Sequence, residues 1–314
     1  MTPSRKTYML LLVACFLFPA TVAAFCIQGD CYDGMGALRG TDFRYEGEFK
    51  DGKFNGNGSV FFDDGSIYTG QFTDGFFQGN GVFTRPNGER YKGDMVQGKF
   101  GGKGVYTYPD GRSYSGDFKA DQYHGRGLFS FPNGESYEGS FKEGKINGPG
   151  TYVYPLGKTY TGEFVDGVPH GRGVLVNELG DRYEGDFKKG LKDGQGTLVY
   201  LSGKTYQGGF KEDLMSGPGI LTDTDGSVQK GVFKDGRLEG FGSKIISDKE
   251  RYTGHFKDGR FHGQGTYAFA DGRVYTGEWA DDLPNGQGRM ITPDGIVSEG
   301  YFVNGVMRKK PKYP

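Results

Sequence analysis

Tyr45 to Ile67 reads YEGEFKDGKFNGNGSVFFDDGSI, and Tyr68 to Arg90 reads YTGQFTDGFFQGNGVFTRPNGER. The second stretch repeats the first after 23 residues. The Tyr then recurs at Tyr91, Tyr114, Tyr137, Tyr160, Tyr183, Tyr206, Tyr252 and Tyr275, with Gln229 holding the place of one. Every step is 23 residues. A fixed period of this size is the mark of a repeat architecture. A partial unit begins at Ser298, and a degenerate half-unit, Asp33-Gly34-Met35-Gly36, precedes the first.

One unit contains its own folding instructions. Tyr45, Gly47 and Phe49 alternate with polar residues and so share one face of a strand. Asp51-Gly52 follows, a dipeptide suited to the type I′ turn of a two-residue hairpin. Counting back from that turn opposes Phe49 to Phe54, Gly47 to Gly56 and Tyr45 to Gly58. Val60 and Phe62 extend the same face. Glu46, Glu48, Lys50, Asn55, Asn57 and Ser59 fall on the other. Pro86-Asn87-Gly88, Pro109-Asp110-Gly111 and Pro132-Asn133-Gly134 then supply a second turn leading to the next Tyr. The expected fold is all-β: an elongated, single-layer antiparallel meander of repeated hairpins. In it each Gly opposite a Tyr leaves a hollow for the ring. The rings only partly cover one another, leaving an aromatic face open to partners.

Composition agrees with the pattern. The 314 residues include 59 Gly, 26 Phe and 21 Tyr. Gly does not recur every third residue, which excludes collagen. The aromatic content argues against disorder. The formal net charge is −1, and no block of like charge marks a nucleic-acid surface.

The pattern Tyr-x-Gly-x-Phe followed by Gly-x-x-x-Gly-x-Gly resembles the MORN-repeat family (membrane occupation and recognition nexus). Tyr45, Gly47, Phe49, Gly52, Gly56 and Gly58 carry the match, and Tyr68, Gly70, Phe72, Gly79 and Gly81 repeat it. The resemblance covers roughly residues 45–305, about eleven units and a partial one. It implies a sheet of hairpins with binding or assembly roles, often near membranes.

The ends differ from the array. Arg5 and Lys6 precede an apolar run from Tyr8 to Pro19, and Val22-Ala23-Ala24 offers small residues for cleavage. Residues 1–24 read as a secretory signal peptide. An uncleaved anchor is the alternative, although the run falls short of the roughly 20 residues a span needs. A lipoprotein signal ending at Cys15 is another, although large apolar residues continue past it. The expectation is export, either secretion or retention in the periplasm or cell envelope. Cleavage moves the net charge from −1 to −3 and leaves Cys26 and Cys31, a pair suited to a disulfide in an exported chain. Residues 25–44 would then form an N-terminal cap, and residues 306–314 a basic tail.

His124, His170 and His262 occupy one column of the polar face, too far apart to share an ion. His255 lies across from His262 and could bind a metal with it, but a third ligand is missing. Solvated surface histidines are the preferred reading. Asp94 with Asp117, and Glu163 with Asp186, form carboxylate columns about 10 Å apart by strand spacing. No feature there would raise one pKa selectively, as paired acid–base work requires. Gly157-Lys158-Thr159 and Gly203-Lys204-Thr205 lack the earlier Gly of a phosphate loop and lead into strands. No catalytic residue, cofactor or metal site is expected. The unit from Gln229 to Arg251 departs furthest from the pattern, which predicts a kink, local mobility or a special contact, or else drift in a tolerant scaffold. Units with Ala120-Asp121, Glu212-Asp213 and Asp281-Asp282 lack the turn Gly.

Three functions follow. The first is a non-enzymatic extracytoplasmic scaffold that binds a protein partner or itself. The second is peripheral binding to anionic lipid, with the basic tail contributing. The third is carbohydrate binding or processing through exposed rings and acids.

Overall fold

The computed structural model describes residues 24–308. The signal-peptide reading of residues 1–24, Cys15 included, lies outside the described residues except for Ala24. So does the basic tail beyond Arg308. The chain divides into two units, residues 1–168 and 169–314. Among the described residues the first unit holds thirteen strands, from Phe25–Gly29 to Thr159–Val165. The second holds thirteen more, from Val168–Val176 to Val306–Arg308. In each unit, strands joined by a hairpin pair antiparallel, and one 3-10 turn, Pro155–Gly157, is the exception to β structure.

The first hairpins show why the sequence folds this way. We label β1 (Phe25–Gly29), β2 (Gly34–Arg39), β3 (Phe43–Lys50), β4 (Lys53–Phe62) and β5 (Ile67–Thr73). β3 and β4 meet at Asp51-Gly52, whose φ angles are 50° and 69°. Both central residues are left-handed, as a type I′ turn demands, so the predicted turn is present. The second turn is a β-turn in which the Gly88 amide donates to the Arg85 carbonyl at 2.9 Å. Asn87 Oδ1 accepts the Glu89 amide at 3.0 Å, which explains the Asn/Asp before that Gly.

The register within the hairpin differs from the simple count. Phe49 opposes Phe54, as expected, but Gly47 opposes Gly58 and Tyr45 opposes Val60. Gly56 and Asn57 bulge out between the two halves of the pairing. Gly56 has φ of 57°, a conformation that costs a residue with a Cβ about 1–2 kcal/mol. Its role is therefore to make the bulge and not to leave a hollow opposite Gly47. The hollow lies over the Gly47–Gly58 pair. A Cβ on Gly58 would sit 2.5 Å from the Tyr45 hydroxyl oxygen and 2.6 Å from its ring. The ring thus closes over two bare backbones, and its hydroxyl donates to the Glu48 carbonyl at 2.7 Å, beside the register shift. Tyr68, Gly70 and Gly81 repeat the arrangement, with the Tyr68 hydroxyl on the Gln71 carbonyl at 3.0 Å. Gly79, with φ of 72°, repeats the bulge.

The aromatic face is closed, contrary to expectation. Tyr45 stacks on Phe54 at 3.9 Å between ring centres and meets Phe49 and Phe72 edge-on at 5.1 Å. Tyr45, Tyr68, Tyr91, Tyr114, Tyr137 and Tyr160 have no exposed surface and Phe54 keeps 8%, while Phe62, towards the second turn, is half-buried. The reason is the bulge: it brings each Tyr flat onto glycine backbone, low enough for neighbouring rings to cover it. The ring face is the core of the sheet. It is not an open surface on which a sugar could stack.

At the N-terminal end the half-unit has no Tyr to cover Gly36. The loop closed by the Cys26–Cys31 disulfide takes that place, with the Asp30 carbonyl oxygen 2.8 Å and Cys31 Sγ 3.1 Å from where a Gly36 Cβ would be.

Replacing Tyr68 by Phe keeps the ring but removes the donor to the Gln71 carbonyl. A buried acceptor left without its partner costs roughly 1–3 kcal/mol. Urea unfolding should show a loss of that order, while Tyr32→Phe, at an exposed ring, should leave the midpoint unchanged.

Candidate functional site

The face opposite the rings carries the variable positions, and it is not flat. At each Gly–Gly pair this face is bare backbone. One row of side chains stands on either side of that floor. In the first unit Val105 pairs with Ser115, Leu128 with Glu138 and Thr151 with Thr161 on one wall. Lys103 pairs with Asp117, Arg126 with Ser140 and Pro149 with Glu163 along the other. Gly104–Gly116, Gly127–Gly139 and Gly150–Gly162 form the floor. Together they enclose an open trough of about 880 Å³ running across the strands. Lys103 and Arg126 stand against Asp117, Glu138 and Glu163. A second trough, of about 870 Å³, lies on the same face of the second unit. It is lined by Arg172, Arg182 and Lys230, with Glu184 and, opposite Arg172, Asp186, and with Gln195, Gln207 and Thr197 between them.

The carboxylate column has a structural task that the sequence reading missed. Glu48 Oε1 accepts the Asn57 amide at 2.8 Å, across the bulge. Asp94 does the same for Lys103, Asp117 for Arg126 and Asp186 for Gln195, each at 2.9 Å. Gln71 serves Asn80 at 3.0 Å. Two of the exceptions follow the chemistry. Where the bulge residue is Pro149 or Pro218 there is no amide to receive, and the column holds Ser140 or Gly209. Asp94, Asp117 and Asp186 are thus bulge caps, and the spacing of nine residues between cap and amide was the available signal. Burial pushes the Asp117 carboxyl up, but the Lys103 ammonium and the Arg126 amide hold it below the usual carboxylate range.

The units without a turn Gly also acquire a reason. The Asp121 amide donates to the Phe100 carbonyl at 3.0 Å, and the Asp121 carboxylate accepts the Phe100 amide at 2.8 Å. In the second unit Asp213 clasps Lys192, and Asp282 clasps Phe261, in the same way. Glycine turns make only the first of these bonds, as Gly75 does to Phe54 at 2.9 Å. Asp tolerates the left-handed conformation and adds the second bond.

His255 opposes His262, as the spacing predicted, and both are exposed. His255 Nδ1 lies 3.3 Å from the Gln264 carbonyl oxygen, so one imidazole nitrogen already has a protein partner. Among the described residues no group of three His, Cys, Asp or Glu is placed to hold a metal ion. Lys158 belongs to a turn, with its ammonium 5.0 Å over the Tyr154 ring. Burial pushes the hydroxyls of Tyr206, Tyr252 and Tyr275 up to about 12, which keeps them neutral as donors.

The ninth unit is where the trough face changes character. The cap position is Val232 and the bulge position is Phe241, so the polar bridge of units such as the first is replaced by two apolar side chains. Both are exposed, Phe241 at 64%. On the ring face Leu238 comes within 2.9 Å of where a Gly231 Cβ would lie, in the space a Tyr fills elsewhere.

The model of the MORN repeat matches eleven segments, from residues 45–67 to 275–297, at the boundaries that the structure gives the hairpin pairs. The chain belongs to the MORN-repeat family. Among curated proteins no sequence matches it. Similar solved structures include the TCP10 domain of Danio rerio CPAP in complex with a peptide of Danio rerio STIL. That chain is 16% identical, with 79% of this chain and 96% of that one covered and a TM-score of 0.27. The Drosophila melanogaster SAS-4 (dCPAP) TCP domain, in complex with a proline-rich motif of Ana2, is 12% identical over 57% of this chain and 84% of that one, with a TM-score of 0.26. A streptogramin B lyase is 12% identical over 90% and 87%, with a TM-score of 0.15. At such scores the backbones do not superpose, and the MORN assignment rests on the repeat itself.

Because the Asp117 pKa is lowered on folding, its contribution is complete above the ordinary carboxylate range. It is lost as pH falls through the lowered value. Stability of the native chain should therefore decline on acidification below about pH 4, where unfolded Asp begins to bind protons. Asp117→Asn should reduce that decline in urea titrations at a series of pH values. An unchanged pH profile would mean that Asp117 makes no such contribution.

Proposed function

We propose that this MORN-repeat chain is a non-enzymatic scaffold outside the cytoplasm that holds extended segments of partner proteins in its troughs. The observation that carries the reading is the asymmetry of the two faces. The rings are buried in one another, whereas the opposite face offers two long troughs with a glycine floor and walls of variable residues. Backbone at the floor lets a ligand chain approach closely, and the varied walls supply selectivity. Asp94, Asp117 and Asp186 are engaged with bulge amides, which speaks for a structural use over acid–base work. Exported location is supported by the order of Arg5-Lys6, apolar run and Val22-Ala23-Ala24, and by the Cys26–Cys31 disulfide. Lipid contact through the basic tail is the second reading, and its cations beyond Arg308 lie outside the described residues.

Two measurements test this. N-terminal sequencing of the protein from its native host should begin at Phe25; a chain starting at Met1 and recovered from the soluble cytoplasmic fraction would remove the exported reading. Random peptides selected by display against the full chain should lose at least tenfold in affinity when Ser115→Trp and Thr197→Trp fill the two troughs. They should be indifferent to Leu156→Asp at an exposed turn. Selected peptides that ignore both trough substitutions would end the trough reading.

A further inference from the structure

We infer that the second trough has a specific anchor at its ninth-unit end: Phe241 and Val232, with Lys230, form a docking point for an acidic, extended polypeptide segment carrying one large apolar side chain. The inference rests on the trough reading above and names the partner chemistry of one part of it.

The local argument begins with the bulge. In the first unit the residue after the bulge glycine is Asn57, Asn80, Lys103 or Arg126, and its amide is received by Glu48, Gln71, Asp94 or Asp117. Pro149 and Pro218 escape the need because they have no amide. Phe241 has an amide, yet the position that should receive it is Val232, which has no acceptor. The unit has given up a stabilising hydrogen bond and exposes two apolar side chains in its place. Phe241 is 64% and Val232 48% exposed.

The neighbours extend the same patch. Val232 sits directly opposite Pro218 on the preceding strand, and Ile220, also exposed, sits opposite Lys230. Phe241 faces His255 across the next pairing, with ring centres 5.7 Å apart. An aromatic side chain at the end of an apolar strip is the kind of anchor on which interface energy concentrates. Exposed apolar groups gathered in one place, unlike single scattered ones, mark interaction surfaces.

Charge selects the partner. Three cations line this trough, against Glu184 and Asp186 on its walls and Glu239 opposite Val232, and of the three Lys230 has no ion pair among the described residues. Arg182 is paired with Glu184 at 2.5 Å, and Arg172 lies 3.8 Å from Asp186. Lys230 stands beside the apolar patch, between Ile220 and Ser243 in the pairing on its two sides. A segment with an acidic residue near its apolar one would satisfy Lys230 while its apolar side chain covers Phe241 and Val232. The first trough, where three carboxylates face two cations, offers no such preference. The sheet edges are not involved, because the trough lies on the face of paired strands, so the segment binds by side chains and not by extending the sheet.

The test uses the same display selection against the full chain, with chosen peptides then titrated by fluorescence anisotropy. Peptides enriched in Asp or Glu around a Trp, Phe or Leu should emerge. Their Kd should rise at least tenfold with Phe241→Ser and with Lys230→Glu, and should rise with added salt. Leu128→Ser, in the first trough, should leave it unchanged. Phe241 and Lys230 are exposed, and circular dichroism of each variant checks that the sheet persists. Neutral or basic peptides, or peptides sensitive to Leu128→Ser and blind to Phe241→Ser, would overturn the anchor while leaving the trough reading in place. No retained peptide at all would overturn both. Co-sedimentation with phosphatidylserine vesicles that is lost in Phe241→Ser, with no acidic peptide bound, would assign the patch to a lipid surface and overturn the proposal.

Discussion

The structure depends on one contact made in nearly every unit: a tyrosine ring lying flat on a pair of cross-strand glycines. Two bare backbones bring the ring down to the sheet, and its hydroxyl satisfies a main-chain carbonyl at the register shift. A Cβ on either glycine would occupy the ring's space. Without the ring, the glycine pair would be an exposed weak point in two strands of low β-propensity. The two residue types are useful only together, which is why a chain so rich in Gly is also so rich in Tyr and Phe.

The bulge links this core to the other face. By inserting two residues it aligns Gly47 with Gly58, and it also turns the Asn57 amide outward for Glu48 to receive. The same feature therefore builds the ring core on one side and a row of capped amides on the other. The trough between the side-chain rows follows from it without further design. The stacking partner of the tyrosine is free to vary. Phe54, Phe77, Phe100 and Tyr123 lie flat against their tyrosines in the first unit at 3.8–3.9 Å. In the second unit Lys192 takes that place, its ammonium 5.7 Å from the Tyr183 ring centre. Stacked or edge-on aromatic pairs contribute about 0.5–1.5 kcal/mol beyond burial, so such replacements weaken a unit without dissolving it.

Much of this was legible in the sequence. Tyr45, Gly47 and Phe49 declared a strand with one aromatic face, Asp51-Gly52 declared its turn, and the period declared the array. Cys26 and Cys31 were readable as a pair. The register shift was not, because alternation counted from a two-residue turn places Gly56 opposite Gly47. Only a left-handed Gly56 moves Gly58 there, and a glycine does not announce its φ. The buried state of the rings and the trough were hidden with it, since both follow from the bulge. The Asp121 clasp looked like a lost glycine because its partner, Phe100, is 21 residues away. The ninth unit was visible as an exception at Gln229. The more telling pair, Val232 and Phe241, acquires meaning only once the bulge cap is known.

The most direct measurement is a double-mutant cycle on Tyr45 and Gly58, read by urea unfolding monitored within the first unit. If the ring rests on the glycine pair, Gly58→Ala should cost about 1–3 kcal/mol in the native background, as overpacking does. In a Tyr45→Ala background most of that cost should vanish, giving a coupling above about 1 kcal/mol. An equal cost in both backgrounds would contradict the account, because the glycine would then be needed for some reason other than the ring above it.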